Sequence, residues 1–203
     1  PTSLKDIGDL AYFYLDLVDA LGLDRPILAG ASFGGWIAAE MAIRSPATFA
    51  QLVLIAPLGI KVHDRNSRDI ADIFAMADEE FLDAAYADPF RGALDLSSLD
   101  DADLAAYFRG RESLAYFGWK PYMHNPRLKR WLHRARLPAL VLAGERDAIT
   151  CGGYHRAFAD SLPDSVLRVI ADAGHLPHIE QPSETTREIV RFHETHRLSA
   201  SAA

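Results

Sequence analysis

Hydrophobic positions fall into two rhythms along the chain. Leu4, Ile7, Leu10, Ala11, Tyr14, Val18 and Leu21 recur at helical spacing, which predicts a helix with one buried face. Ser3, with Asp6 behind it, gives that helix a capping-box-like start, and Gly22 ends it. A different rhythm follows: residues 27–29, 51–56, 138–144 and 166–171 are nearly continuous apolar runs without polar alternation. Runs of that length predict parallel strands buried on both faces. Amphipathic stretches separate them at residues 36–43 and 154–161, and a last one covers residues 183–196. Strand, helix and strand in that order predict right-handed βαβ units in an α/β fold. Residues 198–203 are small and polar enough to predict a disordered tail.

Between residues 57 and 137 the strand rhythm stops. Helical patterns lie near residues 68–86, 100–117 and 126–136, broken at Pro89, Gly92, Gly118, Pro121 and Pro126. The division predicted is therefore a core of residues 1–56 and 138–203, with a helical cap inserted at 57–137. A cap between two parallel strands sits over the carboxyl ends of the sheet, where it acts as a lid. Phe74, Phe117, Trp119 and Tyr122 are either its lining or its own small core.

Composition narrows the function classes. The 203 residues suffice for one α/β domain with an insertion, and 49% hydrophobic with 24% charged residues is ordinary for a globular chain. A net charge of -7, with no Lys or Arg run longer than a pair, argues against nucleic acid as a partner. The single cysteine, Cys151, excludes an intrachain disulfide and a CxxC pattern, and fits a reducing, cytoplasmic setting. No apolar run is long enough to span a membrane, and no stretch reads as a signal peptide.

The chemistry is concentrated at Gly30-Ala-Ser32-Phe-Gly-Gly35, where an apolar run meets an amphipathic one. A sharp turn from strand to helix lifts a serine clear of the sheet, and flanking glycines relieve the clashes. Ser32 is then a candidate nucleophile at the positive end of a helix, with the Phe33 N–H aimed at a developing oxyanion. Its base should lie on a loop beyond a strand at the same sheet edge. His175, in Asp172-Ala-Gly-His175 after the fourth apolar run, meets that requirement, and His178 is its rival. Asp147 in Gly144-Glu-Arg-Asp147, beyond the third run, is the candidate acid, with Glu145 taken as structural. The loop after the second run has no carboxylate before Asp64. Ile149 and Leu176, just beyond acid and base, and Trp119 in the insertion are candidate substrate-binding residues. No metal or cofactor pattern is present.

These motifs, together with Glu180-Gln-Pro182, resemble the α/β-hydrolase fold family over nearly the whole chain. The resemblance implies the C-terminal part of an α/β-hydrolase sheet, about four parallel strands with flanking helices, and a helical cap. It also implies a Ser32–His175–Asp147 triad working through an acyl-enzyme. The apolar Pro57-Leu-Gly-Ile60 turn looks like the branch that holds small esterases and ring-cleavage carbon–carbon hydrolases. Ala31 before the serine and Leu176 after the histidine depart from the second group. The expected substrate is a small apolar ester, with a ketone and carbon–carbon cleavage as the alternative, and a non-catalytic ligand-binding receptor as a third reading. Beyond substrate, the one macromolecular partner expected is a second copy, as a homodimer. Family members carry further strands ahead of the first helix, and a loop there supplies a second oxyanion donor. The chain is accordingly expected to be the C-terminal portion of a longer enzyme, lacking one donor and so on the order of a hundredfold to a thousandfold in rate.

Overall fold

The computed structural model describes residues 4–64, 66–92 and 94–201. Ser3 lies outside them, and the first helix, α1 (Ile7–Ala20), is capped instead by Asp6, whose side chain accepts from the Asp9 amide. Helix α1 leads to β1 (Ile27–Ala31), then α2 (Phe33–Arg44) and β2 (Gln51–Ile55). The insertion carries α3 (Asp78–Ala85), α4 (Pro89–Gly92), α5 (Asp101–Gly118) and α6 (Leu128–Trp131). After it come β3 (Ala139–Gly144), α7 (Tyr154–Ala159), β4 (Ser165–Ile170), α8 (Pro177–Glu180) and α9 (Pro182–Ser201).

The four strands form one parallel sheet in chain order, β1-β2-β3-β4, with Gly30 opposite Leu54, Leu52 opposite Ala139 and Ala139 opposite Ser165. Because side chains alternate along a strand, each face draws on different residues. Leu52, Leu54, Ala139 and Val141 pack under α2 and α7 with Trp36, Phe49, Tyr154 and Phe158. Val53, Ile55, Leu140 and Leu142 pack on the opposite face with Phe192 of α9. β2 and β3 are buried along their whole length, as their apolar runs predict.

The outer strands depart from that expectation. Ile27 in β1 is 41% exposed and Val169 in β4 is 59% exposed, because among the described residues each strand has a neighbour on one side only. β1 thus presents an apolar edge, and Tyr12 and Leu17 of α1 and Leu21 at its C-cap are exposed as well.

Several boundaries also differ. Of the predicted helix at 68–86 only Asp78–Ala85 forms. The Asp69 carboxylate is drawn back to the Val62 and His63 amides, and Ile70 makes an antiparallel bridge to Thr150, so the segment before α3 cannot coil. The predicted helix at 126–136 is one short α turn continued as a 3-10 turn at Leu132–Arg134. Helix α9 continues to Ser201 through most of the predicted tail, while Ala202 and Ala203 lie outside the described residues.

One buried charge ties core to insertion. Glu40 of α2, 1% exposed, accepts from the Trp36 indole at 3.3 Å and the Asn125 amide at 2.7 Å, and is ion-paired with Arg44. Glu40→Ala strands a partly buried guanidinium and two donors. Since Arg44 retains 22% side-chain exposure, solvent recovers part of the loss. We expect a cost of about 2 kcal/mol, below the usual range for a broken buried pair, read as a lower urea midpoint at unchanged slope.

Candidate active site

The sharp turn predicted at residue 32 is present. Ser32 has φ 50° and ψ -115°, a strained conformation for a residue with a side chain, and its N–H and C=O are spent on Ile55 O and Leu58 N. Gly30 is required here because a methyl group on it would run into the backbone of Gly34. Gly35 lets α2 approach the next loop, where an added Cβ would lie 2.9 Å from that of Pro57. Ser32 stands at the N-cap of α2 without capping it, so its Oγ is free to turn outward. Phe33 is the first residue of that helix, and its N–H has no carbonyl one turn back to bond.

The other two candidates arrive from loops at the same sheet edge. His175 Nε2 lies 2.8 Å from Ser32 Oγ, and His175 Nδ1 lies 2.9 Å from Asp147 Oδ2. His175 is 5% exposed. The two loops interlock, since a Cβ on Gly144 would collide with the carbonyl of Gly174. Asp147 Oδ1 accepts from the Ile149 amide at 2.9 Å and the Thr150 amide at 3.3 Å. Burial pushes the Asp147 carboxyl up, but the hydrogen bonds from His155 and His175 outweigh it and hold the group well below the usual carboxylate range.

Further groups support this arrangement, and His155 was missed in the sequence. His155, in the first turn of α7, places Nε2 2.9 Å from the same Asp147 Oδ2. Nothing in the sequence flagged it, since a histidine in a short helix reads as surface. The insertion also contributes: Ala84 O at the end of α3 accepts from Ala148 N, and Ala85 O accepts from His175 N at 2.7 Å. Glu180 closes the histidine loop by accepting from Gly174 N at 2.7 Å and from Asp88 N at 2.9 Å.

The remaining candidates are placed as follows. His178 sits on α8 rather than at Ser32, and burial, followed by the charge of His175, pushes its pKa down. Glu145 accepts from Asp172 N at 3.4 Å, a structural contact. Ile149 is buried core, 3% exposed, and Leu176 packs partly buried at the start of α8. Trp119 is 60% exposed and stacks with Phe74 and Tyr122 at ring separations of 5.8 and 6.5 Å. It lines a cavity of about 490 Å³ with Lys61, Arg68, Asp72, Tyr122 and His124, and the lining includes none of Ser32, Asp147 and His175. Gly118, just before Trp119, lies against the Phe33 ring.

Among the described residues, two clusters have the atoms to hold a metal ion. One is Asp147, His155 and His175, whose nitrogens and carboxylate are already bonded to one another. The second is His63, Asp69 and Cys151. There the Lys61 ammonium lies 2.9 Å from Asp69, and the Val62 and His63 amides bind the same carboxylate, so a cation would have to displace a built ion pair. Among the described residues no helix is long and apolar enough to cross a membrane.

The chain is similar over most of its length to several known proteins. The methyl ester esterase for pimeloyl-[acyl-carrier protein] of Chromobacterium violaceum is 28% identical over 88% of this chain and 75% of its own length. Carboxylesterase YbfK of Bacillus subtilis is 24% identical over 94% of the chain and 64% of its own length. The crystal structure of naproxen esterase from Bacillus subtilis superposes with a TM-score of 0.69 at 22% identity, covering 94% of this chain and 67% of that one. The chain therefore spans from somewhat under two thirds to three quarters of the length of these proteins. A profile of the alpha/beta hydrolase family matches residues 1–189, and the chain belongs to that family of hydrolytic enzymes.

Proposed function

We propose that the chain hydrolyses a carboxylic ester through Ser32, His175 and Asp147. The observation that carries this reading is the hydrogen-bonded line from Ser32 Oγ to His175 Nε2 and from His175 Nδ1 to Asp147 Oδ2, at 2.8 and 2.9 Å. Ser32 Oγ attacks the ester carbonyl carbon while His175 Nε2 takes its proton. The carbonyl oxygen gains the electron pair and is met by the Phe33 N–H at the positive end of α2. Collapse expels the alcohol, which leaves with the proton from His175. Water, deprotonated by the same imidazole, then attacks the acyl-enzyme and releases the acid. Asp147 keeps the Nδ1–H tautomer in place and offsets the imidazolium charge in each half-reaction. Residues 57–137 serve as the lid. The names of the two curated relatives, both esterases, favour an ester over a ketone.

Phe33 N–H is the oxyanion donor that this reading assigns, and turnover is sensitive to each such donor on the order of a hundredfold to a thousandfold. Covalent labelling is therefore a more sensitive test than turnover. A fluorophosphonate is expected to add once to the chain, with the added mass on the peptide containing Ser32. An unmodified chain, or a modification on another serine that His175→Ala leaves unaffected, is the result that refutes the assignment.

A further inference from the structure

One carboxylate oxygen serves two imidazoles. Asp147 Oδ2 lies 2.9 Å from His175 Nδ1 and 2.9 Å from His155 Nε2, and the Thr150 hydroxyl reaches it at 3.2 Å. With the Ile149 and Thr150 amides on Oδ1, Asp147 accepts five hydrogen bonds, about as many as two carboxylate oxygens can hold. We propose that His155 is a positioning residue: its Nε2–H pins Asp147 Oδ2 toward His175, and its ring stays uncharged while His175 takes and returns the Ser32 proton. The inference rests on the triad reading of Ser32, His175 and Asp147.

The tautomer follows from the partners. An ionised carboxylate only accepts, so the proton of the His155 ring must be on Nε2. His155 Nδ1 is buried and has no hydrogen-bond partner among the described residues. A lone pair tolerates that environment, whereas an N–H there would be a buried donor left unpaired. Charge leads to the same conclusion. During the reaction His175 becomes an imidazolium against Oδ2, and a second imidazolium on the same oxygen would set two like charges around a single negative one.

The backbone that presents His155 is itself fixed. Gly153, at φ 79°, turns the chain into α7. Tyr154 is 1% exposed, and its hydroxyl accepts from Ile60 N and donates to Ile60 O, both at 3.0 Å. The ring of Tyr154 lies 5.5 Å from that of His155 and nearly perpendicular to it. The ionisable groups around the pair are Asp147 from the loop after β3, His175 from the loop after β4, and His178 and Glu180 from α8, with Tyr86 facing Glu180 and Tyr154 beside His155. His155 and His175 thus share one buried acceptor, Asp147 Oδ2, which gives His155 a direct electrostatic path to the base.

The test compares His155→Leu, which removes the donor, with His155→Gln, whose amide can donate from a similar position and never gains a charge. The rate of fluorophosphonate addition to Ser32 is followed across pH, and a chromogenic short-chain ester supplies kcat and KM in parallel. The Leu variant is expected to react about tenfold more slowly, with KM within about twofold, and the acid limb of its profile is expected to move to higher pH. That shift arises because a carboxylate relieved of one donor holds an imidazolium more tightly. The Gln variant is expected to restore both rate and limb. A nitrogen-15 spectrum of the rings should show His155 protonated at Nε2 and not at Nδ1 near neutral pH. A Leu variant that reacts like the wild type, a folded Gln variant that rescues nothing, or an Nδ1–H signal each overturns the proposal alone. A wild-type chain that is never labelled at Ser32 overturns the triad reading, and this inference with it.

Discussion

Replacing Ser32 with Ala is expected to abolish measurable ester turnover, a loss of at least about 10⁴-fold in kcat, with the fold intact. The structural part of that expectation comes from how little of the fold depends on the hydroxyl. Ser32 makes no side-chain cap for α2, and its backbone bonds to Ile55 and Leu58 survive truncation to a methyl group. Alanine meets the same positive φ as serine, so the strain is unchanged. Truncation removes the 2.8 Å hydrogen bond to His175, and that imidazole remains bonded to Asp147 through its other nitrogen. An unchanged melting temperature with no turnover and no phosphonate adduct supports the nucleophile assignment. Turnover above about a tenth of wild type would mean that another group performs the attack.

Much of this arrangement was legible in the sequence because each candidate sits where a strand ends. An apolar run followed by glycines marks Ser32, and the same punctuation marks Gly144-Glu-Arg-Asp147 and Ala173-Gly-His175. Parallel strands in chain order then bring those three ends to one edge, so the pairing of residues 143 apart is a consequence of topology. Unbroken apolar runs also located β2 and β3, which are buried throughout because each has neighbours on both sides.

What the sequence hid is the meeting of segments that carry no local pattern. His155 reaches Asp147 only because Gly152-Gly153 folds the chain back on itself, and a short helix gives no periodicity from which to read its inner face. The segment from Asp69 to Ala77 has helix-forming residues, yet tertiary bonds from Asp69 and Ile70 override them. Backbone carbonyls between β2 and β3 take part in the site as well: Ala84 O accepts from Ala148 N and Ala85 O from His175 N, so this segment helps to hold the acid and histidine loops.

Asp147→Asn is the second large effect, and it separates geometry from charge. The isosteric amide keeps the bulk of Asp147 and can still accept from the Ile149 and Thr150 amides through its oxygen. Its NH₂ group then faces His175 Nδ1 and His155 Nε2, and a donor now meets two ring nitrogens that had donated. His175 is driven to the opposite tautomer, with its proton on Nε2 toward Ser32, where it cannot accept the hydroxyl proton. The expected loss is on the order of 10⁴-fold in kcat, the size known for this substitution in serine proteases. The sign in stability is also fixed. A carboxyl held below its unfolded pKa stabilises the fold at pH values above that unfolded value, and the contribution fades as pH falls through the folded one. The wild type is therefore expected to lose its advantage over the Asn variant as pH falls below about 4, with urea midpoints converging there and separated at pH 7. A midpoint gap that stays constant from pH 7 to below 3 would show that the two imidazoles do not hold the carboxylate ionised. A variant with near wild-type turnover would show that His175 does not depend on Asp147 for its tautomer.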